Sequence, residues 1–228
     1  MKKYLSLGGA TFAPFKLFKA IFVVCLVCFA NVANAQVLAW QFALPEHSKG
    51  VEPFSKSTTT NEFLEIATLT RGKGIVPKQG NSRGFSGNFG VDESFDDAQK
   101  SNSYFQFEVK AKKGHEVSLS SLKATLRRQE QSAHIYRWTY SLDGKNFKNV
   151  HENDITITNV SNNGVKQKPI SLAAIKELQN VPATKTITFR MYAWGGVTNE
   201  GKAIAFGFGK SDAKGSNALA LEGTVTKK

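Results

Sequence analysis

Read with a period of two, "ITFRMYAWGG" (187–196) sends Thr188, Arg190, Tyr192 and Trp194 to one side and Ile187, Phe189, Met191 and Ala193 to the other. An arginine and two aromatic rings on one strand face suit a sugar. The rings stack on its apolar side, and a guanidinium donates paired hydrogen bonds to its oxygens. Arg127 and Arg137 lie on other β-patterned runs and would extend such a surface. Arg190, Tyr192, Trp194 and Arg127 are therefore the candidate ligand-binding residues, with the "GGVTNEGK" loop (195–202) beside them. The same residues also suit the outer skin of a sheet, where Tyr and Trp pair across strands and Arg lies over the rings. Both readings stay open at this point.

Other constellations are weaker. Asp92, Glu93, Asp96 and Asp97 in "DESFDD" carry the hard oxygens of a Ca²⁺ site. They lack the alternate spacing of an EF-hand loop, so a solvated acidic loop is expected there. His47, His115, His134 and His151 stand far apart, with no metal-ligand spacing. No serine stands in a nucleophile elbow, and nothing marks a carboxylate pair for glycoside hydrolysis. The Gly-rich "RGKGIVPKQGNSRG" (71–84) opens no helix and fits no phosphate-loop spacing. The expectation is a non-catalytic protein with no cofactor and no metal; a hydrolase using carboxylates gathered from loops ranks third, behind a binding module and a structural surface protein.

The first 35 residues read as an export signal. Lys2, Lys3, Lys16 and Lys19 form a basic region without acidic residues, followed by the apolar "AIFVVCLVCFA" (20–30) and the cleavage pattern Ala33-Asn34-Ala35. Eleven apolar residues fall short of the ~20 that span a bilayer. Cleavage after Ala35 would leave residues 36–228 as a single domain without a membrane span, in the periplasm, at the cell surface or outside. Both cysteines, Cys25 and Cys28, would leave with the signal, so the domain would rely on packing alone. The four signal lysines would leave too, taking the formal charge from +12 to +8. A positive balance favours glycans or other anionic surface polymers as partners, without sequence-specific nucleic-acid recognition. The clusters "KAKKGH" (110–115) and "LRRQ" (126–129) are too short for a basic tract.

Positioning the candidates requires strands. "VLAWQFA" (37–43), "SYFQFEVKA" (103–111) and "IYRWTYSL" (135–142) alternate as half-buried strands do, with Trp40, Trp138 and Tyr140 on the apolar sides. "EVSLSSLKATLRR" (116–128) shifts phase near Ser120-Ser121, as two short strands or one bulged strand would. "AIAFGFG" (203–209) and "NALALEGTV" (217–225) follow, with weaker candidates at 64–70, 84–90 and 154–160. Asp143-Gly144 marks a hairpin. One stretch reads as helix, "SLAAIKELQN" (171–180), with Ser171 as N-cap and Leu172, Ile175 and Leu178 on one face. The pattern predicts an all-β fold, an antiparallel β-sandwich of jelly-roll type with one short helix.

The segments "LTRGKG" (69–74), "YFQFEVKAKKGHEVSLSSLKATLRR" (104–128), "YRWTYSLDGKNFKNV" (136–150), "LAAIKELQNVP" (172–182), "KTITFRMYAWGG" (185–196) and "LALEGTV" (219–225) follow one another in a fixed order. In that order they resemble an uncharacterised family of exported bacterial β-sandwich domains of surface and PEP-CTERM-type proteins. The "YSLDGKNF" hairpin is also similar, more weakly, to galactose-binding-like jelly rolls. The resemblance implies fold and export, and supplies no catalytic residue. The function expected is an exported, non-catalytic binding module for glycans or a cell-surface partner.

Overall fold

The computed structural model describes residues 35–77, 82–197 and 205–228. The expected export segment lies outside them apart from Ala35, as do 78–81 of the Gly-rich loop and most of the loop after Val197. The alternating runs form nine main strands: β1 (Ala35–Trp40), β2 (Thr68–Arg71), β3 (Gly84–Asn88), β4 (Tyr104–Val109), β5 (His115–Arg128), β6 (Ile135–Ser141), β7 (Ile187–Trp194), β8 (Ala205–Gly209) and β9 (Leu219–Lys227). Seven two-residue strands border them. One sheet has the order β1-β9-β5-β8-β3 and the other β6-β7-β4-β2, all paired antiparallel. From β1 to β6 the chain changes sheet at every step, the habit of a jelly-roll sandwich. Among the described residues no helix is long and apolar enough to cross a membrane.

The apolar sides of the strands meet between the sheets. Phe105 of β4 is their centre: its ring lies 5.8 Å from Phe85, 5.2 Å from Phe208 and 6.5 Å from Phe206 on the opposite sheet, and 5.2 Å from Phe89. Trp40 meets Phe107 at 5.1 Å and Trp138 meets Phe208 at 6.2 Å, again across the sandwich. Trp40, Trp138 and Tyr140 are buried, as their strand phase predicts. The phase shift in β5 is a bulge in one continuous strand. Gly223 of β9 faces Leu119 and Glu222 faces Ser121, leaving Ser120 as the extra residue.

The helix expected at 171–180 does not form. Ile170–Ser171 and Val181–Pro182 are both held as short strands on β5, opposite Leu122, Ser121, Val117 and Glu116. Both ends of the segment are thus committed to backbone pairing with β5, which a continuous α-helix over 171–180 would forfeit. A 3₁₀ turn, Lys176–Leu178, takes its place. Its three-residue period suits Leu172, Ile175 and Leu178, which are spaced by three and pack on the main core. The α-helix lies instead in the expected acidic loop, as α1 (Phe95–Ser101). Ser94 caps it by accepting from the Asp97 amide at 3.2 Å, and Asp96 and Asp97 occupy the positive first turn.

The "LTRGKG" segment is structural. The Arg71 guanidinium donates to the carbonyls of Glu52, Ser86 and Gly50 at 2.6, 2.7 and 2.8 Å and lies 3.7 Å over the Phe85 ring. Burial lowers its pKa to about 10, so it stays charged at neutral pH. A Cβ on Gly72 would fall 2.1 Å from the Asn102 oxygen, and one on Gly74 2.2 Å from that of Ser101. Only glycine lets the chain pass so close to the end of α1.

Truncation of the central ring tests this account of the core. Phe105→Ala is expected to lower unfolding free energy by about 3–5 kcal/mol, read as a fall in urea midpoint at unchanged slope. A loss below about 1 kcal/mol would contradict it.

Candidate functional site

The strand β7 does present Arg190, Tyr192 and Trp194 on its outer face, but that face is covered. Tyr192 and Trp194 are each only 3% exposed. They form a second small core with Ala98 of α1, flanked by Phe95, Tyr104 and Ile135. The Phe95 ring stands edge-on to Tyr192 at 5.3 Å and lies 5.9 Å from Trp194. Register brings Tyr104 and Arg137 alongside Tyr192, and Gln106 and Thr139 alongside Arg190.

Arg190 is half-buried and held by neighbouring rings. Its guanidinium lies 4.2 Å over Tyr104 and 4.0 Å over Phe147. Nε donates to Gln106 Oε1 at 2.7 Å, and Nη1 to Tyr192 Oη at 3.3 Å. Burial raises the Tyr192 phenol, and Arg190 partly offsets the rise. Arg137 repeats the motif, 4.1 Å over Phe95 with Nε donating to Asp154 at 2.6 Å. Stacking surfaces that a sugar would use are thus taken by the protein's own rings and guanidinium groups. What stays open is a notch of about 400 Å³ edged by Phe95, Arg137, Asp154 and Trp194.

Arg127 does not join this group. It belongs to β5 in the other sheet, opposite Gly207. Alternation in a single strand says which residues share a side of that strand, not which sheet the strand enters. The acidic residues do not converge either. Asp97 accepts from Ser94 at 2.6 Å, and Asp92 from Ser101 at 2.9 Å. Of the histidines, His115 stacks on Phe63 at 4.2 Å, while His134 packs beside Gly195. Among the described residues no group of three His, Cys, Asp or Glu is placed to hold a metal ion.

Two carboxylates line a pocket of about 330 Å³ next to the 142–147 hairpin loop. Asp143 accepts from the amides of Lys145 and Asn146 at 2.9 and 2.8 Å, from the Asn146 side chain at 2.7 Å and from Ser141 at 2.8 Å. These bonds hold it well below the usual carboxylate range. Glu177 accepts from Lys148 at 2.6 Å and from Tyr140 at 2.5 Å, which lowers it too. Tyr140 is pushed up to about 12 by burial and by Glu177. Both carboxyls are therefore ionised at neutral pH, and neither holds the proton that a general acid must give.

Another cleft, of about 480 Å³, gathers Arg83, Lys166 and Lys210 with Thr125, Asn163 and Ser216. Among the described residues none of the three cations has a carboxylate within ion-pair distance. The one carboxylate on the rim, Asp212, accepts from the amides of Lys214 and Ser216 at 2.9 and 3.1 Å. Partial burial, then the like charges of Arg83 and Arg127, lower the Lys210 ammonium below the ordinary lysine range. With Lys123 and Thr125, Arg127 takes the outward positions of β5, on the side of the strand that this cleft borders. Sequence reading missed the cleft because its cations come from separate segments with no common pattern. Comparison with protein-family models, curated proteins and solved structures finds no match for this chain.

Trp194→Ala is expected to cost about 3–5 kcal/mol of stability, measured by urea melting, because the ring is core. A change below about 1 kcal/mol would reopen the outer face as a ligand platform. Acid titration tests the hairpin. The depressed Asp143 contributes its stabilisation fully above the unfolded carboxylate value, about 4, and loses it as pH falls. Asp143→Asn is therefore expected to flatten the fall of Tm between about pH 4 and 2; an unaltered slope would contradict a structural role for the carboxylate.

Proposed function

We propose that the chain is an exported, non-catalytic module that binds an anionic polymer of a cell surface, an acidic glycan above all, through the Arg83–Lys166–Lys210 cleft. The observation that carries this reading is the convergence of three cations, without a carboxylate partner among the described residues, on one concave site. Like charges held together cost stability unless a counter-charge arrives, so an anion entering the cleft relieves a repulsion as well as making contacts. Hydroxyl and amide groups of Thr125, Asn163 and Ser216 supply the neutral hydrogen bonds that a sugar needs beside its charge. The motif series described above, with its export pattern and its resemblance to exported surface domains, supports the compartment. A second reading, a structural surface component without a small ligand, is favoured by the packed Trp194 and Tyr192, which leave no aromatic platform.

Binding to polygalacturonate, with dextran as the neutral control, tests the reading. Retention is expected at about 10 mM salt and is expected to weaken steeply by about 150 mM. Lys166→Gln and Lys210→Gln are each expected to weaken binding about tenfold. The paired change Lys112→Gln and Lys113→Gln, in the exposed "KAKKGH" cluster, is expected to leave it unaltered. Equal loss in both sets would reduce the binding to net charge and overturn the cleft. Lys210→Gln should also raise Tm by about 1–3 °C at low salt, since it removes one of the mutually repelling cations.

A further inference from the structure

The cleft continues past Lys166. A second hollow of about 250 Å³ shares Thr125, Lys166, Ser216 and Asn217 with it, so the two form one groove. Strand register gives its course. Lys166, in the short strand Val165–Lys166, stands opposite Thr125 of β5. Lys123, two residues along β5 on the same side, stands opposite Ala220 of β9, and Glu222 of β9 stands opposite Gln36 of β1. The groove therefore crosses four neighbouring strands on the outside of the first sheet. Three strand spacings amount to about 14 Å, which is room for an oligomer and not only for one ion.

The two halves differ in charge. Arg83 and Lys210 lie at one end with no carboxylate in ion-pair distance among the described residues, and the rim carboxylate there, Asp212, is bonded to the amides of Lys214 and Ser216. At the other end Lys123 is bonded to Glu222, and the Asn217 amide donates to the side-chain oxygen of Gln36. That end is neutralised from within and offers polar groups without net charge. A carboxylate placed there would meet Glu222 and find its nearest cation already paired, which selects against it. Among the described residues no aromatic side chain lines either hollow, so they offer none of the stacking surfaces on which single-stranded nucleic acid is held.

We infer that the groove takes a linear saccharide in which an acidic sugar is joined to a neutral one. The acidic unit lies between Arg83 and Lys210, the neutral unit lies over Lys123 and Glu222, and Lys166 stands between them. This rests on the anionic-polymer reading and adds the composition of the ligand.

Calorimetry of the purified protein separates the two. The probes are a hyaluronan tetrasaccharide, whose acidic and neutral units alternate, a tetragalacturonate with a carboxylate on every unit, and an oligothymidylate of similar length. The alternating probe is expected to bind about tenfold tighter than the all-acidic one. Glu222→Gln is expected to raise affinity for tetragalacturonate several-fold and to leave the alternating probe within about twofold, while Lys210→Gln weakens both. Thermal melts of each variant confirm that it is folded under the conditions of the titration. Equal affinity for the two saccharides with no response to Glu222→Gln would overturn the inference and leave anion binding standing. Failure of both saccharides to bind would overturn both, and tightest binding of the oligothymidylate would assign the groove to nucleic acid and overturn the inference as well.

Discussion

The sandwich depends on aromatic packing between its two sheets, and on Phe105 most of all. No cysteine occurs among the described residues, so no cross-link shares the load. A ring in edge or tilted contact with Phe85, Phe89 and Phe208, and stacked at longer range on Phe206, sets both the distance between the sheets and their relative rotation. Everything on the outside inherits its geometry from that contact. β7 can carry the Arg190 row only because Phe189 and Met191 are held on the inner side. β5 can carry Lys123 and Thr125 outward only because Leu122 and Ala124 are held inward.

The outer surfaces of the two sheets are used differently. On the β6-β7-β4-β2 sheet, α1 and Phe147 cover the Arg190–Trp194 stretch of β7, and Arg137 and Arg190 lie over the rings they meet. Planar guanidinium groups suit this role, because they stack and donate at once. Their charges are absorbed into the fold, as the charge of Arg71 is absorbed by three carbonyls. On the β1-β9-β5-β8-β3 sheet the cations at one end of the groove are left without such partners among the described residues. The two sheets, with similar sequence patterns, therefore hold their outward cations differently, the first leaving Arg83, Lys166 and Lys210 without a carboxylate in ion-pair distance among the described residues.

Much of the fold was legible in the sequence, and the candidate site was not. The alternation of "SYFQFEVKA" and "ITFRMYAWGG" located the core because burial on one side of a strand is a local, periodic property. The cover over Trp194 was not local: α1 lies about ninety residues earlier in the chain. Its own signal, Ser94 followed three residues later by Asp97, is readable as a cap but was outweighed by the acidic composition of "DESFDD". "SLAAIKELQN" misled in the opposite direction, since spacing by three fits a 3₁₀ turn as well as a short helix. The basic groove had no periodic signature at all. Arg83, Lys123, Lys166 and Lys210 are brought together by sheet register, which one strand's pattern does not encode.

Ser120 ties these themes together. Before it, Val117 and Leu119 face the core at odd numbers; after it, Leu122, Ala124 and Leu126 do so at even numbers. The bulge therefore works as a change of reading frame within a single strand. Had the odd frame continued, Lys123, Thr125 and Arg127 would point between the sheets and the apolar set would point to water. The bulge absorbs the one residue by which the strand departs from strict alternation, so both of its halves keep their apolar set inward. Deleting Ser120 would leave Val117, Leu119, Leu122, Ala124 and Leu126 in unbroken alternation on their present side, with Lys123 and Thr125 still facing water.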